Sequence, residues 1–429
     1  MPARMSVFDL AELAADVGPN PRTIGVLLEL DGPPPDLDDV RASIRARLGL
    51  SPRLAQRMRR VPFGAGRPVW EDVEPDLGHH VRGRSALAAD LLEVATAILL
   101  DPLDAVHPWW TLTIVDLPDE QRSALVWSSH HALADGPSVL RLLATLVQEG
   151  AARPLPAPTP VPAWGKLARE AWNSRTRSVV VGVASLPRHL VGMRELAASS
   201  YRRVPSSAVN QRVTAGYTVH IVDVDLAGLR EGAHECGATI NDALLWAWGA
   251  ALHNQLATDG HGGAPVVISC TVTVPSTAVE NRVGAVRFHV PTPGLSVADD
   301  LSALAAYTRR RKRLISGSTW WLTSQLFRGV AALGLYRRFV ERQHSITSLL
   351  TNMRGPAEPF QVLGLTVRRV VPLPTLVGNV TVLAAALSCG ERLVVTIMCA
   401  PQATAIADDL AADLAAGLAS VSALAGAKR

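Results

Sequence analysis

Residues 124–136 read Ala-Leu-Val-Trp-Ser-Ser-His-His-Ala-Leu-Ala-Asp-Gly, and they say more about the fold than any other stretch of the chain. The stretch begins with an apolar run typical of a buried strand, which ends in two histidines. Asp135 and Gly136 predict a turn, because glycine tolerates the φ values that a sharp reversal needs. Pro137–Glu149 then has the apolar spacing of a helix. This order places His131 at a strand end, where its side chain would face a cleft.

His131 is the candidate for chemistry in this turn. Neutral imidazole titrates near neutrality, so histidine is the usual base for removing a hydroxyl proton while the hydroxyl attacks an acyl group. Such a ring must be held in one tautomer, and Asp135 could either bond the ring or pair with an arginine and fix the loop. The sequence leaves both roles open. No serine or cysteine is paired with His131 in a recognisable motif, so no covalent acyl-enzyme is expected.

A metal site is the alternative interpretation of the same residues. His130, His131 and Asp135 are all potential ligands. Successive strand residues point to opposite faces, however, so His130 and His131 would rarely share one ion. We therefore expect no metal and no bound cofactor. The other pair, His79–His80, lacks a following Asp-Gly and is interpreted as structural.

The composition narrows the class of protein and its partners. The chain has 429 residues, 48% of them hydrophobic and 19% charged, which suggests two or three globular domains. Arginine clusters at Arg53–Arg60, Arg309–Arg313 and Arg337–Arg342 could attract phosphate groups or could be solvated helix faces. No run interleaves aromatic with basic residues, so a nucleic-acid partner is not expected.

The cysteines and the N-terminus bear on location. The four cysteines form no Cys-x-x-Cys pair and suit a reducing compartment. Asp9, Glu12 and Asp16 interrupt any signal-peptide core, and no apolar run is long enough to span a bilayer. A cytoplasmic protein is expected, either free or attached peripherally at the inner face of a membrane. The sequence gives no oligomeric state.

Three regions follow from the pattern along the chain. Residues 1–150 and 204–429 both alternate strand-like and helix-like segments, typical of α/β sandwich domains. Examples are a predicted strand at Ile24–Leu30 and a predicted helix at Ile240–His253. Residues 151–203 contain a proline-rich linker, which should be extended, followed by a basic helical crossover from Trp164 to Met193.

Several motifs occur in an order that resembles the wax ester synthase/acyl-CoA:diacylglycerol acyltransferase family, which is found mainly in bacteria. The His-His-x-x-x-Asp-Gly motif alone is shared more widely, across chloramphenicol acetyltransferase-like folds and peptide-synthetase condensation domains. The ordered series, from about Ile24 to Pro401, is more specific. Its further blocks are Arg53–Trp70, His80–Arg82, Asp101–Trp110, Asn241-Asp242, Asn281–Gly284 and Thr351–Pro356.

The resemblance implies a fold, a reaction and a site. The fold would be two chloramphenicol acetyltransferase-like sandwich domains with the active site in a tunnel between them. The reaction would move a fatty acyl group from acyl-CoA to a long-chain alcohol or diacylglycerol, with His131 as general base and His130, Asp135 and Gly136 beside it. Asn241 and Asp242 would be oxyanion or substrate-binding candidates. Asn241 also suits a helix N-cap, and Asp242 suits a first-turn carboxylate.

Two alternatives to that reaction remain. The same fold could acylate a polyketide, peptide or sugar hydroxyl, or the chain could be a catalytically silent lipid-binding relative.

The chain departs from the family pattern at three places. Pro21-Arg22-Thr23-Ile24 stands where the pattern has Pro-Met-His-Val, Trp109 stands where it has leucine, and Glu280 stands where it has glycine. The segment Trp320–Arg338 suits an interfacial helix on a membrane or lipid-droplet surface, and it also suits a core helix.

Overall fold

The computed structural model describes residues 3–147, 150, 152–173, 203–273, 283–294, 296–314, 330 and 334–426. Its helices are α1 (Val7–Ala15), α2 (Leu37–Arg47), α3 (Leu77–His80), α4 (Leu91–Leu100), α5 (Gly136–Val147), α6 (Leu226–Glu235), α7 (Ile240–Thr258), α8 (Val297–Leu314), α9 (Tyr336–Glu341) and α10 (Ala407–Ser422). Its strands are β1 (Thr23–Asp31), β2 (Gln56–Arg59), β3 (Val69–Asp72), β4 (Val81–Ser85), β5 (Trp110–Leu117), β6 (Arg122–His130), β7 (Thr218–Asp225), β8 (Val266–Thr273), β9 (Val283–Val290), β10 (Ser348–Arg354), β11 (Gln361–Val362), β12 (Leu365–Leu373), β13 (Val382–Cys389) and β14 (Arg392–Cys399).

The strands form two six-stranded sheets and one two-stranded ribbon. The first sheet has the order β11-β12-β1-β6-β5-β4, the second has the order β7-β14-β13-β10-β8-β9, and β2 pairs with β3. Both large sheets mix parallel and antiparallel pairs, as in many α/β domains. The α/β class expected from the sequence is confirmed.

One strand pair joins the first sheet to the second half of the chain. β12 pairs antiparallel with β1, with Leu27 opposite Val371 and Leu28 opposite Val370. The first sheet is therefore not made only from residues 1–150, because β11 and β12 come from residues 361–373. A proline-rich linker in the sequence does not show that a strand from beyond it joins the first sheet. The pairing of β12 with β1 joins residues more than 300 positions apart and depends on the tertiary fold.

Most predicted elements occur where the apolar pattern placed them. The strand expected at Ile24–Leu30 is β1, and the helix expected at Ile240–His253 is α7, which extends to Thr258. Of the predicted crossover, residues 164–173 are helical and the remainder lies outside the described residues. The segment Trp320–Arg338 is described only at residues 330 and 334–338. No helix among the described residues is long and apolar enough to cross a membrane.

The two sheets pack against each other across one apolar core. The first sheet contributes Leu27 and Val371, and the second contributes Leu383 and Met398. Helix α4 fills the same core, because Leu91, Ile98 and Leu99 are all buried there. The apolar faces of both sheets are thus removed from water by each other and by one helix, which is the main stabilising contribution in such a fold.

The N-terminal segment packs along the ribbon β2–β3. The N–H of Met5 donates to the Pro68 carbonyl, and the N–H of Trp70 donates to the Ala3 carbonyl, both within 2.9 Å. Helix α1 follows, with a capping box in which Ser6 and Asp9 satisfy each other's backbone N–H groups. The sequence analysis did not predict this helix, which lies beside His130 and His131.

The basic run Arg53–Arg60 is part of the same ribbon. Arg57 and Arg59 both pair with Glu71 across the two strands, and the Arg53 guanidinium lies 4.3 Å from the centre of the Trp70 ring. The expectation of a helix face was therefore wrong for this run. Short runs of arginine carry no periodic signal strong enough to separate a helix from a strand.

Candidate active site

The turn after β6 has the geometry that the sequence predicts. His130 is the last residue of β6 and lies opposite Thr23 of β1. The backbone N–H of His131 donates to the Arg22 carbonyl at 2.8 Å, which ties the turn to the segment before β1. Helix α5 begins at Gly136. His131 thus lies at a strand end between two elements that fix its backbone.

The His131 side chain faces the carboxylate of Glu12. His131 Nδ1 lies 3.8 Å from Glu12 Oε2, and the His131 side chain is 20% exposed. Burial lowers the pKa of His131, the Glu12 carboxylate opposes that shift, and the nearby Arg22 charge reinforces it. The ring is therefore neutral at neutral pH, so it can accept a proton.

Glu12 is itself held by an arginine. Arg22 Nε donates to Glu12 Oε2 at 2.8 Å. Burial alone would raise the pKa of Glu12, but the Arg22 and His131 charges and the Arg22 hydrogen bond lower it to about 2. The carboxylate is ionised at any pH where the protein would be assayed. No local motif in the sequence links Glu12 to His131, so the sequence analysis did not predict this contact.

His130 makes different contacts from His131. Its Nδ1 accepts a hydrogen bond from the Ala132 N–H at 2.9 Å, and its Nε2 lies 3.3 Å from Asp16 Oδ2. A nitrogen that accepts from an N–H carries no proton, so Nε2 is the protonated one and donates to Asp16. That hydrogen bond is the largest cause of the lowered pKa of Asp16. With both nitrogens engaged, His130 holds the turn.

The packing around His130 explains one departure from the family pattern. The Trp109 ring lies 4.6 Å from the His130 ring, at an interplanar angle of 34°. Trp109 also meets Trp70 edge to face, with 6.1 Å between the ring centres. Trp109 therefore fills space beside the strand end that carries both histidines.

Asp135 caps helix α5. Its Oδ1 accepts the Ser138 N–H at 2.9 Å, and its carbonyl accepts the Val139 N–H at 2.8 Å. The side chain is almost fully buried, and its charge makes a smaller contribution that raises the pKa of His131. Of the two roles left open by the sequence, fixing the turn is supported by a hydrogen bond, made to the backbone of the helix.

Gly136 lies in close contact with the second half of the molecule. Its φ does not lie in the left-handed region, so the turn expected from the sequence forms without the φ values that favour glycine. A Cβ at this position would lie 2.5 Å from Met353 Sδ. Met353 belongs to β10 of the second sheet. The glycine therefore permits close contact between the turn that carries His131 and the second half of the molecule.

Asn241 and Asp242 lie in the first turn of α7. The N-cap is Thr239, so the expectation that Asn241 caps the helix was wrong. Asp242 is buried and completes a capping box: Thr239 Oγ1 and N donate to its Oδ2 at 2.7 and 3.0 Å. Thr308 Oγ1 donates to Asp242 Oδ1 at 2.7 Å, which ties α7 to α8.

Comparison with known proteins assigns the fold and the family. Residues 5–244 match the family model of the wax ester synthase/diacylglycerol acyltransferase catalytic domain, and residues 279–422 match the model of the C-terminal domain of that family. A probable diacylglycerol O-acyltransferase of Mycobacterium tuberculosis is 26% identical over 416 residues, covering 90% of this chain and 88% of that protein.

Solved structures share the architecture over almost the whole chain. The wax ester synthase/diacylglycerol acyltransferase from Marinobacter aquaeolei VT8 superposes with a TM-score of 0.69 at 18% identity, covering 99% of this chain and all of that one. The starter condensation domain of rhizomide synthetase, solved with C8-CoA, has a TM-score of 0.65 at 12% identity, covering 99% and 94%. These likenesses confirm the two-domain chloramphenicol acetyltransferase-like fold expected from the sequence.

Proposed function

Because the chain belongs to the wax ester synthase/diacylglycerol acyltransferase family and is an acyltransferase, we propose that it moves a fatty acyl group from acyl-CoA to a long-chain alcohol or diacylglycerol, with His131 as general base. The observation that supports His131 most strongly is its position: a neutral imidazole at a strand end, with an ionised carboxylate beside Nδ1. With Nδ1 next to the carboxylate, we propose Nε2 as the nitrogen that acts on the substrate.

The reaction would proceed by direct attack on the thioester. His131 Nε2 takes the hydroxyl proton while the alcohol oxygen forms a bond to the thioester carbonyl carbon. The tetrahedral intermediate then breaks its carbon–sulfur bond, and the imidazolium returns the proton to the departing CoA thiolate. The oxyanion of the intermediate needs hydrogen-bond donors. Asp242 is committed to Thr239 and Thr308, so of the two predicted candidates we propose only Asn241 for this role.

The acyl acceptor is the part of the proposal to test first. Purified protein would be incubated with acyl-CoAs of different length and with hexadecanol, diolein, a sugar or a polyketide alcohol, and the products identified by mass spectrometry. Wax ester or triacylglycerol would support the proposal. Ester formed only on the sugar or polyketide alcohol would favour the alternative acceptor class and leave the role of His131 intact.

Exhaustive treatment with a chelator is expected to leave full activity. The thioester is already activated, and the imidazole supplies the proton transfer, so no Lewis acid is needed. His130 also directs its two nitrogens to Ala132 and Asp16, which makes the set His130, His131 and Asp135 a poor metal site. Activity measured before and after dialysis, with metal content by mass spectrometry, checks this. Activity that is lost and then restored by a divalent ion would contradict it.

We also propose that the protein is cytoplasmic and attaches peripherally to an anionic lipid surface. Phe63 is fully exposed at the tip of the loop between β2 and β3, and Trp172 is 65% exposed on the helical segment 164–173. The loop and the segment adjoin, because a Cβ on Gly66 would lie 2.8 Å from the Ala171 Cβ. Exposed basic side chains flank both aromatics: Arg60, Lys166 and Arg169. Aromatic anchors among cations suit an anionic interface.

Replacing Phe63 and Trp172 with serine is expected to remove most binding to vesicles that contain phosphatidylglycerol. The variant loses apolar contact area at the interface while the charges remain, and catalysis on soluble substrates should persist. Leu87→Ser is the matched control, since Leu87 is 55% exposed elsewhere on the surface. Co-sedimentation with vesicles measures the effect. Equal binding by the double variant and the wild type would remove this surface from the proposal.

A further inference from the structure

Glu12 and Arg22 form a largely buried ion pair next to His131. The Arg22 and Glu12 side chains are 13% and 24% exposed, and their atoms approach to 2.8 Å. Glu12 Oε2, the oxygen that accepts from Arg22, is also the atom that lies 3.8 Å from His131 Nδ1. The three side chains therefore form a chain of contacts in which the carboxylate lies between the guanidinium and the imidazole.

The backbone of Arg22 reinforces this arrangement. Its carbonyl accepts the His131 N–H at 2.8 Å, and its own N–H donates to Asp16 Oδ1 at 3.1 Å. Asp16 is the carboxylate that contacts His130. Glu12 lies in the last turn of α1 and Asp16 is the C-cap of this helix, and their carboxylates face His131 and His130 respectively. The end of α1 thus presents one carboxylate to each histidine.

Arg22 is also a departure of this chain from the family pattern. The pattern has methionine where Arg22 stands in Pro21-Arg22-Thr23-Ile24. A charged side chain that is mostly removed from water requires a partner of opposite charge, because an unpaired charge there is strongly unfavourable. Glu12 is that partner, so the two residues must be considered together.

We propose that Glu12 is the positioning residue for His131 and that Arg22 holds Glu12 in place, so that helix α1 orients the base of the reaction. This inference rests on the proposed role of His131. A carboxylate facing Nδ1 favours the tautomer with its proton on Nδ1 and keeps the lone pair on Nε2. It also stabilises the imidazolium that forms when the hydroxyl proton is taken.

Glu12 and Arg22 have opposite effects on the pKa of His131: the carboxylate raises it and the guanidinium lowers it. His131 is influenced by Glu12, Arg22 and the Asp135 of its own turn. Glu12 is also influenced by His130, and both Glu12 and Arg22 act on Tyr336 of α9. Removing the negative charge of Glu12 leaves Arg22 to disfavour the imidazolium. Removing the positive charge of Arg22 leaves Glu12 to favour it.

The test is the pH profile of kcat/KM for two variants. In Glu12→Gln the acidic limb should move to lower pH, and in Arg22→Met it should move to higher pH. We also expect kcat of Glu12→Gln to fall by about one to two orders of magnitude, less than the ~10⁴-fold cost of neutralising a directly bonded orienting carboxylate, because 3.8 Å exceeds a hydrogen bond. Glu12→Asp, which keeps the charge, should recover part of the loss.

If Glu12 and Arg22 had only a structural role, both variants would lose activity. The acidic limbs of their pH profiles would then not move in opposite directions. Either single variant leaves a mostly buried charge unpaired, so the double variant Glu12→Gln/Arg22→Met is included. It should regain stability but keep the low kcat of Glu12→Gln. Full kcat in the double variant, or unchanged limbs in both single variants, would overturn the inference. If His131→Ala stays active, the proposed base itself fails. An inactive His131→Ala together with unchanged limbs refutes only the positioning role of Glu12.

Discussion

Replacing His131 with alanine is expected to lower the rate of acyl transfer by about two to four orders of magnitude, the usual contribution of a general base. The fold should persist, because His131 lies in a turn whose backbone is held by the Arg22 carbonyl, and this bond needs no side chain. The measurement is single-turnover release of CoA from acyl-CoA in the presence of an alcohol, with a thermal melt of the same sample.

His130→Ala is the control for that variant. His130 contacts the Ala132 N–H and Asp16, so its loss should lower stability more than it lowers the rate. A folded His131→Ala protein with most of its activity would exclude this side chain as the base. Equal loss of rate in both variants would indicate that the whole turn, and not one imidazole, is required.

The pH dependence follows from the direction of the shift at His131. Burial lowers the pKa of His131 below the ordinary histidine value, so the ring stays neutral further toward acid than an exposed histidine does. Activity should fall only as the pH drops through the lowered pKa. Protonating a buried, neutral histidine also disfavours the folded state, so this group contributes stability that is lost in the same direction, toward acid.

Replacing Asp135 with alanine is expected to have the second largest effect. The change removes the cap of α5 and leaves the buried Ser138 N–H without its acceptor, at a cost of about 1–3 kcal/mol of unfolding free energy. The rate should fall as well, since α5 follows the turn that carries His131. Asp135→Asn keeps an oxygen acceptor and should lose less stability.

Asp225→Ala is the control for Asp135→Ala, because it removes a helix cap that lies outside the candidate active site. Asp225 caps α6 by accepting the Gly228 N–H at 2.7 Å, at the end of β7 in the second sheet. Its replacement should lower the melting temperature with little change in rate, whereas Asp135→Ala should lower both. Thermal melts and CoA-release rates of the two variants, measured side by side, check the difference. A stable but inactive Asp135→Ala would instead indicate that Asp135 acts mainly on the imidazole.

The strand, the turn and the helix around His131 could be predicted because each has a local cause. The apolar run before His130 sets the strand, and the apolar spacing after Gly136 sets the helix. The ordered motifs also predicted the family and the fold, both of which the comparisons confirm. The roles of individual side chains were harder to predict from the sequence. The sequence left two roles open for Asp135, which caps α5 in the structure. It also offered Asn241 as a helix cap, whereas the N-cap of α7 is Thr239.

The amino-acid sequence by itself determined which residues are the candidates for chemistry, since the type and spacing of His131, Asp135 and Gly136 depend only on neighbours in the chain. Only the tertiary structure decided what surrounds them. Glu12 reaches His131 because the N-terminal helix α1 lies beside the turn that follows β6, and Gly136 meets Met353 because β10 belongs to the opposite sheet. Burial and charge pairing depend on which distant segments come together, so the lowered pKa of His131 follows from the packed molecule and from no motif.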